Sequence, residues 1–170
     1  MSAKRITIDA LLVALALIIF SVEAMIPSLV PIPGVKLGLA NIITVFAMFT
    51  VGPKDTLAIL LCRIFLGNLL TGQMVSFFFS LTGGIFCYLI MLLLRKFLND
   101  DKIWVCSIIG AVFHNIGQII AAILILKSTA VIAYFPILAL SGCIAGLFTG
   151  LVAQLVVKRF RKSDLYEKIF

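Results

Sequence analysis

Residues 75–94 read VSFFFSLTGGIFCYLIMLLL, an uncharged run followed at once by Arg95 and Lys96. A bilayer core about 30 Å thick takes about 20 apolar residues in helical form. This stretch therefore reads as a membrane span, and it makes a helical membrane protein the expected class. Five further apolar runs are expected to be helical. They cover roughly Ile6–Val22, Leu37–Val51, Thr56–Leu70, Ile103–Leu126 and Tyr134–Val157. The second and third are short for a span, so tilting or breakage is expected there. The chain of 170 residues is 63% hydrophobic and 12% charged. Soluble domains run nearer half apolar and a quarter charged, so a soluble enzyme is excluded. The turns leave no room for a second domain. The expectation is an all-α, integral membrane six-helix bundle, with residues 1–170 as a single transmembrane domain.

The basic residues orient that bundle. Lys4, Arg5, Lys54, Arg95, Lys96, Lys102, Lys158, Arg159, Arg161, Lys162 and Lys168 all fall on one side if there are six spans. Lys36 and Lys127 fall on the other, and Arg63 lies within a span. The positive-inside rule then places both termini in the cytoplasm, in a multi-pass protein of the cell membrane. The net charge of +7 is mostly this topological signal and gives no support to a nucleic-acid partner. The basic tail is suited to anionic membrane lipid. The first apolar run leads into Glu23 and Pro27 and lacks a small-residue cleavage site, so it is read as a helix and not as a cleavable signal.

Cys62, Cys87, Cys106 and Cys143 lie singly in apolar context, which reads as packing and not as metal binding or disulfide formation. Ala10 and Ala14 share one face of the first helix. Small residues at that spacing allow close helix approach, either inside the bundle or against a partner helix. Gly142, Gly146 and Gly150 form a longer stripe on the sixth helix. Each glycine costs helix propensity, about 1 kcal/mol relative to alanine, so three in register imply close helix contact. Between the first two helices, residues 23–36 contain Pro27, Pro31 and Pro33 yet are largely apolar. Proline denies a regular helix, and the segment is expected to fold back as an external lid. Irregular backbone at membrane depth needs protein or a wet cavity beside it.

The polar residues that need explaining are Lys36, Asn41, Arg63, Asn68, Gln73, His114, Asn115 and Gln118. At about 1.5 Å per residue, their depths overlap in the outer half of the bundle. His114 and Gln118 are four apart and face the same way. Gly110 and Gly117 thin the helix around them, which suits a ligand that approaches backbone. Arg63 is the most expensive of the set, since a central arginine costs about 2.5–3.5 kcal/mol on insertion scales. Its counter-charge could be a ligand anion, and Glu23 is the sole acid expected on the outer side. The candidate substrate-binding set is Lys36, Asn41, Arg63, Asn68, His114, Asn115 and Gln118. Interhelical hydrogen bonding alone is the competing explanation. Phe77, Phe78, Phe79, Phe113, Tyr134 and Phe135 offer rings for stacking or for an interfacial belt.

No ATP-binding loop, zinc motif or nucleophile elbow is present. Asp100 and Asp101 are the sole paired acids, in a turn. No catalytic residue, metal or cofactor is expected, and the chain is read as a binding subunit, not an enzyme.

Residues 31–42, PIPGVKLGLANI, and 110–118, GAVFHNIGQ, resemble the bacterial Gx transporter family, also called heptaprenyl diphosphate synthase component I. The resemblance runs over nearly the whole chain and includes Arg63 with the following Leu66-Gly67 and the closing Leu140-Ser141-Gly142. The six-span plan, the lid and Ala10-x-x-x-Ala14 are similar to substrate-binding subunits of energy-coupling factor transporters. That likeness implies a bacterial plasma-membrane protein taking up a small molecule, vitamin-like or a quinone precursor and anionic. It also implies docking of a transmembrane coupling subunit, with two ATPases, on Ala10 and Ala14. The family's other name implies the alternative, a membrane component tied to heptaprenyl diphosphate or quinone synthesis; a membrane partner or scaffold of an extracellular redox system is a third reading, of the hydrophobic bundle alone.

Overall fold

A computed structural model describes residues 3–26, 38–72 and 74–163. Most of the expected lid (27–36), together with Lys36 and Gln73, lies outside them. Among the described residues there are six α-helices and no strand: α1 (Ala3–Ala24), α2 (Asn41–Thr50), α3 (Pro53–Thr71), α4 (Met74–Leu94), α5 (Ile103–Leu126) and α6 (Phe135–Arg161). Short 3-10 turns precede α5 and α6.

Helices α1, α4, α5 and α6 are long and apolar enough to cross a membrane. The other two differ from the sequence expectation for separate reasons. Helix α3 has 19 residues but carries Lys54, Asp55 and Arg63. Helix α2 starts at Asn41, not Leu37, and has only 10 residues. That is about 15 Å of helix, about half the thickness of a bilayer core. Gly38 has φ +80°, a left-handed conformation that a side chain rarely adopts, and it turns the chain into this short helix.

Helix α2 touches each of the other five. Seven of its ten residues are buried, among them Asn41, Val45, Met48 and Phe49. It stands as a central half-length post. Helix α5 packs between α4 and α6, and α1 lies along α3. The close α5–α6 contact follows from the glycine stripe. A methyl group on Gly150 would stand 2.7 Å from the Trp104 Cα, and one on Gly146 would stand 2.9 Å from the Ile108 Cα. The stripe therefore serves internal packing, and adding side chains there would force the helices apart.

One end of the bundle collects the basic residues. Arg5 pairs with Asp55 at 2.9 Å and donates to the Val51 carbonyl at 3.3 Å. Arg161 bonds Asp100 and also donates to the Phe49 carbonyl at 2.7 Å. Lys158 pairs with Asp101 at 2.6 Å and holds that carboxyl below the usual carboxylate range. These contacts gather the start of α1, the α2–α3 turn, the α4–α5 turn and the end of α6. Solvent screening leaves the exposed pairs little weight in stability. Their value here is in showing which helix ends lie together.

Above that end sits an apolar layer: Val45, Met48, Leu60, Ile64, Met91, Ile103, Cys106 and Val157 are each at most 2% exposed. It fills the space between the basic end and the polar residues.

Candidate functional site

The site begins where α1 ends. Glu23 lies in the last turn of α1 and is 4% exposed. Its carboxylate accepts the backbone N–H of Gly38 and, at 3.4 Å, that of Ala40. These amides lead into α2, whose own cap residue offers no side-chain bond. A helix N-terminus carries roughly half a positive charge and unpaired amides, so a buried carboxylate is well placed there.

Asn41, the first residue of α2, is the branch point. Its Oδ1 accepts from Arg63 Nη2 at 3.3 Å, and its Nδ2 lies 3.2 Å from His114 Nδ1. One amide thus links α2 to α3 and α5. Backbone room lets these groups meet. A methyl group on Gly38 would lie 2.9 Å from Asn41 Nδ2, and one on Gly83 would lie 2.9 Å from His114 Cε1. Gly83 brings α4 against the imidazole.

Arg63 is 5% exposed, and its Nε has no hydrogen-bond partner. Among the described residues it has no ion pair within 4.0 Å. Glu23 acts on it electrostatically from further off. Among the described residues the hydrogen bond of Arg63 is the long neutral one to Asn41, and it donates to no backbone carbonyl. A guanidinium presents five donors, so a buried arginine held in this way is under-compensated.

The structure divides the sequence-predicted set. Asn41, Arg63 and His114 meet. Gln118 is buried one turn further along α5. Asn115 turns away, and its Nδ2 donates to the Leu138 carbonyl of α6 at 2.5 Å. It bridges helices, filling space that Gly142 leaves open. Asn68 also stands apart. Its Nδ2 donates to the Ile64 carbonyl at 2.7 Å and its Oδ1 has no partner. It lines a separate cavity of about 270 Å³ with Phe65, Leu69, Gly72, Met74 and Phe77. Lys36 lies outside the described residues. Ala10 and Ala14 are both exposed, so the bundle itself does not use that face.

One expectation changes. Gly110 and Gly117 do not open space for a ligand, because both are filled by α4. Methyl groups there would stand 3.1 Å from Met91 Cγ and 2.7 Å from the Thr82 carbonyl oxygen. Of the candidate rings, Phe79 is core at 1% exposed, Phe78 is 53% exposed, and Phe77 lines the Asn68 cavity. Glu23 is the member absent from the predicted set. Its signal was its position as the sole acid expected at that end of the helices.

The chain is thus an all-helical membrane protein with a buried arginine–asparagine–histidine contact joining three helices. The chain belongs to the heptaprenyl diphosphate synthase component I family, whose match covers residues 12–156 and so takes in the whole cluster. No curated protein and no solved structure matches it.

Proposed function

We propose that this chain is the substrate-binding membrane subunit of a small-molecule uptake transporter of the energy-coupling factor type. The observation that carries the reading is Arg63, a 95%-buried guanidinium whose Nε is left without a partner beside Asn41 and His114. A protein that needed only helix glue gains nothing from a buried, under-paired cation. A site that waits for a ligand acceptor does. The apolar layer of Met48, Leu60, Met91 and Val157 closes the basic end, so solute reaches the cluster from the Glu23 end. With the basic end cytoplasmic, that means entry from outside a bacterial plasma membrane. The substrate is small, with an anionic or strongly accepting group, of the vitamin or quinone-precursor kind. The exposed Ala10–Ala14 face of α1 is then where a transmembrane coupling subunit, driven by two ATPases, docks.

The family description favours a second reading, a membrane component of heptaprenyl diphosphate or quinone synthesis. The acids speak against catalysis of that step by this chain alone. Asp100 and Asp101 are engaged with Arg161 and Lys158, not grouped as a diphosphate–cation site.

The test is mass spectrometry of what denatured, purified protein releases. A stoichiometric small polar molecule supports the binding subunit. Release of bilayer lipid alone, from protein purified under several growth conditions, removes it.

A further inference from the structure

We propose that the N-terminus of α2 and Arg63 together form an oxyanion site that Glu23 occupies from within, and that a ligand carboxylate or phosphate enters by displacing Glu23. This rests on the reading of the cluster as a ligand site. It adds which group the ligand must replace.

The first observation is the carboxylate itself. Glu23 is 4% exposed, and it sits on the Gly38 and Ala40 amides that lead into a 10-residue helix. A helix N-terminus with converging amides binds an anion readily. The second is Arg63, 95% buried, with its Nε unpartnered and its Nη2 3.3 Å from Asn41, the first residue of that helix. A carboxylate on the amides, close enough to act on Arg63 but outside ion-pair distance, satisfies the helix and not the guanidinium. A ligand oxyanion that spans both satisfies each, and a planar bidentate partner is what guanidinium geometry favours.

The exchange has a mechanical consequence. Glu23 is in the last turn of α1, the helix whose other face exposes Ala10 and Ala14. Displacing Glu23 frees that end of α1 from α2. Site occupancy and the α1 surface are thereby linked through one side chain.

The experiment uses detergent-purified full-length protein, with sulfate and propionate as probes against chloride at constant ionic strength. In Glu23→Gln the internal anion is gone, so a saturating probe raises the melting temperature. At about ten times the probe's Kd the rise is about 3–5 °C. Wild type, where Glu23 competes, gains less than about 1 °C at the same concentration. The double variant Glu23→Gln/Arg63→Leu loses the rise. A response to sulfate alone, or to propionate alone, supports the site and sets its preferred oxyanion. Equal responses in wild type and Glu23→Gln, or a rise that survives in the double variant, overturn it. If Glu23→Gln does not stay folded in chloride, Glu23→Ala is purified in propionate. Aggregation only on propionate removal supports the proposal, and aggregation in its presence overturns it. The purified-protein result is independent of whether a natural solute co-purifies, so failure here leaves the transport reading standing on its own test.

Discussion

Asn41→Ala and Arg63→Leu are expected to cost stability very unequally, although they remove the same hydrogen bond. Alanine at 41 deletes both the bond from Arg63 Nη2 and the contact with His114 Nδ1. Hydrogen bonds between membrane helices are worth about 0.6 kcal/mol on average. The larger loss is that the buried Arg63 keeps its charge with no acceptor. A stranded buried donor costs about 1–3 kcal/mol. The sum is about 2 kcal/mol, or about 4–8 °C in melting temperature for a chain of this size. Leucine at 63 removes the same bond but also removes the charge, whose insertion cost is about 2.5–3.5 kcal/mol. Glu23 keeps its two backbone donors in that variant. Arg63→Leu therefore melts no lower than about 1 °C below wild type, and added to Asn41→Ala it restores part of the loss. Thermal melts of the four proteins in one detergent read this directly, as a double-mutant cycle. If Arg63→Leu is as damaging as Asn41→Ala, the arginine is a structural element and the reasoning fails.

Three further outcomes follow from the same structure. In a background lacking the native cysteines, Leu29→Cys and Asn99→Cys should be labelled from opposite sides of intact cells; labelling from one side contradicts the three crossings expected between them. Replacing Ala10 and Ala14 by tryptophan should abolish association with a coupling subunit while the isolated protein melts within about 2 °C of wild type, since surface substitutions cost little. A complex that survives both changes refutes docking on that face. The purified chain alone should not elongate an allylic diphosphate with magnesium, and product formation free of any partner would restore the synthase reading.

The helices were legible in the sequence because apolar runs are a composition signal, and the 75–94 run needs no tertiary information. The half-length of α2 was not, since Leu37, Leu39 and Ala40 are as apolar as the helix they precede. What ends the helix is the backbone turn at Gly38, which hydropathy does not register. The polar cluster was legible in part. Asn41, Arg63 and His114 stood out as polar groups costly against lipid, and they meet. Asn115 and Asn68 carried the same signal for other reasons, one bonding α6 and one facing a side cavity. Residue type fixes that a group needs a partner; only the rotation of each helix fixes which partner it finds. Glu23 went unassigned because its role depends on where another helix begins.

On the proposed function, Arg63 serves a ligand and not the fold. Once the solute carried by the wild-type protein is identified, its affinity for wild type, Arg63→Leu and His114→Ala should be measured by calorimetry, with each protein's melting temperature taken alongside. Losing a buried charged partner costs a complex about 2 kcal/mol or more. Arg63→Leu should therefore show at least about a 30-fold weaker Kd, with the melting temperature nearly unchanged. Unchanged affinity with a lowered melting temperature would contradict it.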